Sequence, residues 1–318
     1  MKRRDFLQNT GFLTCGCALG AIAHNLAQIK ERRNVIKSGV INQEDITKVM
    51  QKSKYFGWLK HIQFAITYHC NLNCAYCNNM SPIAPIYHLP LDVFEKDIIQ
   101  MAKITNKKIQ NIGLLGGEPL LNKKIEEYIK IAHRNFEDSK ITITTNGLLL
   151  NEMPDSFWKC CAENNTNIKY TIYPLSKNYP TLLRAYEQAK KYHVELLIKN
   201  SAYHFRLMNL DTKNLNNKEE THKNCGDRSC ILIDHGRMYP CPCVQTVDMF
   251  FNKYFKDKQI AIDENDYCDI YKLKNAKDIH DFVNKAKDMC KYCNFATSDG
   301  EDRVWAYSKK DASEWRRA

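Results

Sequence analysis

Cys70-Asn71-Leu72-Asn73-Cys74-Ala75-Tyr76-Cys77 places three thiols within eight residues, with an aromatic side chain directly before the last. Three close thiolates suit a soft metal or an iron–sulfur cluster. They also leave the coordination one ligand short. His69 adjoins Cys70, a poor place from which to chelate the same atom, and His88 lies further on. A structural zinc site is normally closed by four protein groups, whereas a catalytic centre keeps a position open. Two other readings stand beside this one. Positions i, i+4 and i+7 share a helical face, as in a buried cysteine stripe, although Asn71 and Asn73 favour turns and caps over a helix interior. A three-cysteine zinc site completed by a distant His is the second.

Working outward, Ile62, Phe64 and Ile66 alternate as a strand should, so the cysteine loop follows a strand directly. After Pro90, the spacing of Leu91, Phe94, Ile98 and Met101 predicts a helix. Ile112-Gly113-Leu114-Leu115 is a short apolar strand running into Gly116-Gly117-Glu118-Pro119. Asn122 is placed to cap the next helix, whose apolar face is Ile125, Tyr128, Ile129, Ala132 and Phe136. Ile141 and Ile143 form a third strand ending in Thr144-Thr145-Asn146-Gly147, and a helix is expected around Phe157 to Ala162. Ile168, Tyr170 and Ile172 make a fourth strand, Leu182, Tyr186 and Ala189 a fourth helix, and Val194 to Ile198 a fifth strand. Tyr203 to Met208 is the candidate for a sixth. Strands and helices alternating at these spacings predict a parallel sheet with right-handed crossovers. Chemistry in such folds gathers at the carboxyl ends of the strands. Three unusual loops share that rim: Cys70 to Cys77, Gly116 to Glu118, and Thr144 to Gly147. This coincidence favours a catalytic site.

The chain of 318 residues is long enough to bury a substantial core, and it is 44% apolar and 26% charged, a globular composition. The net charge of +11 is spread among acids along the helices, with no concentrated basic arm, so nucleic acid is not an expected partner. Fourteen cysteines clustered in short motifs read as metal binding rather than a disulfide framework.

From about Gln63 to Asn200 the chain resembles the radical S-adenosylmethionine (SAM) enzymes. The resemblance rests on C-x3-C-x2-C with Tyr76 before the last cysteine, and on Gly116-Gly117-Glu118-Pro119. It implies an α/β fold, a partial (β/α)6 TIM-like barrel. It implies that Cys70, Cys74 and Cys77 hold a [4Fe–4S] cluster whose remaining iron is chelated by SAM. Gly116, Gly117 and Glu118 would receive the methionine amino group, Glu118 offsetting its charge. Thr144 and Asn146 would contact the ribose or the methionyl part, and Tyr76 would pack near the adenine. Thr144 to Gly147 also reads as a plain strand-to-helix turn with Gly147 at positive φ. The reaction implied is reductive cleavage of SAM to methionine and a 5′-deoxyadenosyl radical, which abstracts hydrogen from a substrate. A low-potential electron donor such as flavodoxin or ferredoxin is then an expected partner.

Cys225, Cys230, Cys241 and Cys243 frame the segment Ile231 to Pro240, which alternates about Gly236 as a β-hairpin. Cys290-Lys291-Tyr292-Cys293 follows a helical stretch from Ile279 to Met289. This arrangement resembles the SPASM or twitch auxiliary-cluster module. The spacing from Cys225 through Gly236 to Cys241 fits it; Cys230 is too close to Gly236. The resemblance implies one auxiliary [4Fe–4S] cluster on Cys225, Cys241, Cys290 and Cys293, with Cys230, Cys243 and Cys268 as substitutes. A four-cysteine zinc site satisfies the same spacing. Cys160 and Cys161 read as core residues of a helix.

The expected domains are an N-terminal leader or helical extension at 1–60, a barrel at 61–215, and a cysteine-rich module with a tail at 216–318. Lys2-Arg3-Arg4-Asp5-Phe6-Leu7 matches a twin-arginine signal, followed by an apolar run from Gly11 to Ala27 and by Ala21-Ile22-Ala23 as a cleavage site. That run is too short for a secure membrane span. SAM and its reductant belong to the cytoplasm, so a cytoplasmic location is expected, with export or membrane association through 1–27 as the alternative. Cys15 and Cys17 lie in this segment and are expected to take no part in the chemistry. The substrate expected is a small molecule or carbohydrate, through oxidation or epimerisation of a sugar-like alcohol. Two other functions compete: modification of a peptide or protein, and an iron–sulfur electron-transfer or sensing protein without SAM cleavage.

Overall fold

The computed structural model describes residues 55–318 apart from 177, 200, 201, 214, 215, 259, 295–301, 317 and 318. The N-terminal signal motif, its apolar run, Cys15 and Cys17 lie outside the described residues.

Strand β1 (His61–Thr67) is followed by helix α1 (Leu91–Thr105), β2 (Asn111–Gly116), α2 (Ile125–Asn135), β3 (Lys140–Thr145) and α3 (Asp155–Glu163). Then come β4 (Thr166–Thr171), α4 (Asn178–Lys191) and β5 (Leu196–Lys199). The five strands pair in parallel, in sequence order, with helices as the crossovers. This is the α/β, partial TIM-barrel type of sheet. Alternation along β1 divides its residues between two cores. Ile62, Phe64 and Ile66 enter the larger core with Phe94, Ile98, Ile112 and Ile143, and Ala65 enters a second. Each fully buried Ile or Phe contributes roughly 1.5–3 kcal/mol, which outweighs any weak local preference of a seven-residue strand.

Helix α4 differs from expectation. Its buried side is Asn178, Thr181, Ala185 and Ala189, while Tyr186 is 52% exposed. Small side chains at helical spacing let the backbone lie close to its neighbours, so the bulky residues turn outward. Asn122 stands two residues before the N-cap of α2, which is Lys124: its Oδ1 accepts from Lys124 N (3.0 Å), after a short 3-10 turn at Pro119–Leu121.

The sixth strand is a larger departure. The segment expected at Tyr203 to Met208 contains only β6 (His204–Arg206). It pairs antiparallel with β10 (Asp302–Val304) and not with β5. The parallel sheet grows instead from its other edge. Strand β7 (Leu232–Asp234) lies parallel to β1, with Gln63 opposite Leu232 and Phe64 opposite Ile233. The expected hairpin follows: β7, the turn His235-Gly236, and β8 (Arg237–Tyr239), with β9 (Cys268–Asp269) beyond. Both turn residues have positive φ, +49° and +72°, the requirement of a tight two-residue hairpin. Helices α5 (Lys218–Asn224), α6 (Pro242–Tyr254) and α7 (Ala276–Val283) complete the C-terminal third. The helix expected to run to Met289 stops at Val283, and a 3-10 turn carries Cys290. No helix among the described residues is long and apolar enough to cross a membrane.

Candidate active site

The loop after β1 is pinned by apolar anchors: Leu72, Ala75 and Met80 are all buried. Two left-handed residues, Tyr76 (φ +62°) and Met80 (φ +50°), bend it tightly, and Met80 N donates to Cys77 O at 3.0 Å. Such conformations cost on the order of 1 kcal/mol or more for residues with a Cβ, so the surroundings must hold them. The alternative of a helical cysteine stripe is thereby replaced by a coiled loop.

Each of the three sulfurs attracts N–H donors. Leu72 N stands 3.3 Å from Cys70 Sγ, and Asn146 Nδ2 3.6 Å. Trp305 Nε1 donates to Cys74 Sγ at 3.1 Å. The backbone N–H groups of Ser81, Asn79 and Met80 serve Cys77. Burial nevertheless pushes the thiols of Cys70 and Cys74 up to about 12 and raises that of Cys77. Thiols in this setting ionise when a cation arrives to offset the burial. His69 does not complete the set: its Nδ1 stands 3.3 Å from Thr67 Oγ1, and its ring packs edge-on against His88.

The glycine pair joins β2 to this loop. Gly117 N donates to Thr67 O and Glu118 N to His69 O, each at 3.0 Å. A Cβ on Gly116 would lie 1.9 Å from Thr67 O, and one on Gly117 2.0 Å from His69 O. No other residue fits either place. Glu118 is fully buried. Its Oε1 accepts from Leu120 N (3.1 Å) and Thr145 Oγ1 (2.7 Å), and its Oε2 from Asn146 N (2.9 Å). Burial raises its carboxyl to about 7 against those three donors. Asn146 in turn bonds Asn71 Oδ1 at 2.8 Å, so Glu118, Asn146 and the cysteine loop form one bonded chain. Gly147 has φ +76°, as the turn requires.

These loops open on one cavity. Cys70, Gly116, Gly117, Thr144 and Asn146 line it, together with Gln63, Lys169, Thr171, Tyr173, Asp227 and Cys230. Glu118 and Tyr76, expected at a cofactor, do not line it: the carboxylate is consumed by its three internal donors, and the tyrosine occupies the loop's left-handed turn. Lys169 and Asp227 were not legible as site residues, and Cys230 was expected only as a substitute in the second cysteine set. The period-two pattern of β4 alone places Lys169 on the face opposite Ile168. Asp234, Arg206 and His204 stand elsewhere; Asp234 bonds Tyr68 and His235.

A second cavity gathers the later cysteines. Cys225, Cys241, Cys243, Cys290 and Cys293 line it with the apolar Leu210, Val244, Val247 and Met289. Cys225 ends α5, Cys241 caps α6 at its N-terminus, and Cys243 Sγ lies 3.9 Å from Cys293 Sγ. Cys230 faces the first cavity, and Cys268 lies on β9 beside a surface cleft, so neither joins the set. Among the described residues no three Cys, His, Asp or Glu side chains close about the position of a single ion. Cys160 and Cys161 are buried in the main core.

Residues 64–167 match the model of the radical SAM superfamily. Curated relatives include GTP 3',8-cyclase of Chlorobaculum tepidum, 31% identical over 116 residues, which are 36% of this chain and 34% of the relative. The same enzyme of Helicobacter pylori is 31% identical over 99 residues, 30% of each chain. The match thus spans about a third of the length of these relatives. Among solved structures, BtrN in complex with AdoMet and 2-DOIA is similar with a TM-score of 0.47 and 17% identity, over 74% of this chain and 93% of that one. anSMEcpe with bound AdoMet and Kp18Cys peptide is similar with a TM-score of 0.46 and 14% identity, over 80% and 95%.

Proposed function

We propose that this chain, whose residues 64–167 belong to the radical SAM superfamily, is an enzyme that cleaves SAM reductively and takes a hydrogen atom from a small polar substrate. One observation carries this reading. Three sulfurs, that of Cys74 buried and those of Cys70 and Cys77 on half-buried residues, are met by N–H donors and open through Cys70 onto the cavity that Gly116, Gly117, Thr144 and Asn146 also line. The donor set fits a [4Fe–4S] cluster: thiolate ligands, hydrogen bonds to sulfur, and no fourth ligand from the loop. When bound, cluster and SAM supply an electron to the sulfonium and so a 5′-deoxyadenosyl radical.

The chain's own residues then have distinct duties. Cys70, Cys74 and Cys77 hold the cluster. The backbone of Gly116 and Gly117 forms the cavity edge nearest the loop, where the methionine amino group would bind. Thr144 and Asn146 face the remainder of SAM. Glu118 acts at one remove, fixing Asn146 and thereby Asn71. Tyr173, half-buried between the cavity and Trp305, helps exclude water. Gln63, Lys169, Thr171 and Asp227 offer donors and acceptors suited to a hydroxylated small molecule, which supports oxidation or epimerisation of a sugar-like alcohol. The second cysteine cavity supports an auxiliary cluster on Cys225, Cys241, Cys290 and Cys293, with Cys243 as a fifth candidate. The barrel at 61–215 and the module at 216–318 differ in chemistry and not in folding, since β7 joins the barrel sheet and Asp227 and Cys230 reach the first cavity. SAM supply and a flavodoxin- or ferredoxin-like donor fit action in the cytoplasm.

The test is anaerobic reconstitution, an iron count, and SAM cleavage under dithionite. About eight irons per chain are expected for two clusters, with 5′-deoxyadenosine formed. Cys74→Ala should lose about four irons and all cleavage. Cleavage retained in that variant, or absent from the iron-loaded natural chain, sinks the proposal. About four irons with one zinc and cleavage intact would make the C-terminal site structural.

A further inference from the structure

The C-terminal tail does not stay with the cysteine-rich module. After β10 pairs with β6, Trp305 N donates to Tyr203 O at 2.8 Å, and the chain then crosses to the loop that carries the first cysteine set. Ala75 N donates to Ala306 O (2.9 Å) and Ser308 N to Asn73 O (2.9 Å), while Asn73 Nδ2 returns a bond to Ser308 O (3.0 Å). Trp315, fully buried, donates its Nε1 proton to Cys77 O at 2.8 Å. At the centre of this strap the Trp305 indole donates to Cys74 Sγ at 3.1 Å. Its ring is held edge-on by Tyr307, with centroids 4.8 Å apart, and Tyr173 stands on another side at 6.5 Å.

The donors to Cys77 all come from the loop itself. Trp305 is different: it comes from 231 residues away along the chain and ends in one removable N–H. An N–H aimed at a ligating sulfur stabilises the added negative charge of a reduced cluster, and such bonds are among the levers that set cluster potentials. We propose that Trp305 is a positioning residue for the cluster on Cys70, Cys74 and Cys77, with its indole N–H holding Cys74 Sγ and raising the reduction potential there. This rests on the radical SAM reading of the loop.

The test uses the full reconstituted chain. Potentiometric titration is followed by electron paramagnetic resonance, on the signal that disappears in Cys74→Ala. Trp305→Phe keeps a ring between Tyr307 and Tyr173 but has no donor. It should retain its iron yet be harder to reduce by roughly tenfold in the equilibrium, about 59 mV for one electron. A full iron complement with an unchanged potential overturns the proposal. Should the Phe variant lose iron, 3-benzothienylalanine placed at position 305 keeps the bicyclic shape without the N–H. A lowered potential in that chain supports the proposal and an unchanged one overturns it. If the natural chain takes up no Cys74-dependent iron, the cluster reading itself falls, and this inference falls with it.

Discussion

Glu118 is a motif residue whose carboxyl is engaged by three donors of its own fold. Its carboxyl is raised from 4.5 to about 7 because burial costs the charged form more than three donors return. A folded value above the unfolded one stabilises the fold fully below the unfolded pKa, and that contribution is lost as pH rises through about 7. In the iron-free chain, stability should therefore fall on the order of 3 kcal/mol between about pH 5 and about pH 8 from this group alone. Glu118→Gln should be less stable at the lower pH, because an amide NH2 then faces Asn146 N, and should lack this slope. Urea unfolding at the two pH values measures both effects. A parallel slope in the variant would assign the pH dependence to other groups. Gly116 and Gly117 were legible as special from the motif alone. Their reason was not: each excludes a Cβ because it lies against the backbone of β1 and the cysteine loop.

At the scale of elements, periodicity served well wherever one face is apolar and the partner is the next element along. The strands at Ile62, Ile112, Ile141 and Ile168 and the first three helices are of this kind. It found α4 but missed part of its buried side, which small residues form, and it failed at β6, which is only three residues long. Helix α6 carries an apolar stripe of Val244, Val247, Phe250 and Phe251 and begins with Pro242 at its first turn, both recognisable signals. The strap that ends in Trp315 has no periodic signal at all. Trp315 is fully buried against Phe250 and Tyr254, and its N–H bonds the cysteine loop. Trp315→Ala should cost about 3–5 kcal/mol. The reconstituted variant should also release iron faster to a chelator, read beside the shift in urea midpoint. A destabilised chain with an unchanged release rate would confine Trp315 to the core.

At the scale of the molecule, the C-terminal third is part of the sheet. Strand β7 pairs with β1, and Gln63 N donates to Ile231 O at 3.1 Å. Leu232, Tyr239, Val244 and Phe250 supply much of the second core into which Ala65 points. A fragment ending at residue 215 would leave one edge of β1 unpaired and this core unfilled. It should show no cooperative thermal transition by circular dichroism, while the full chain does. A sharp transition in the fragment would show that the barrel stands alone.

Local chemistry determined much of this protein from the sequence by itself. Thiol spacing marked the cysteine loop, and alternation between strand and helix periods marked the parallel sheet. From these it followed that three motif loops share one rim, because parallel strands present their carboxyl ends together. The tertiary structure alone decided which distant segments meet. It set β7 against β1, brought Lys169, Asp227 and Cys230 to the cavity, left Cys243 alone of the three substitute cysteines beside the second cavity, and laid Trp305 on Cys74. Those pairings depend on backbone hydrogen bonds and on shape between segments far apart in the chain. Neither leaves a periodic trace in the residues on either side.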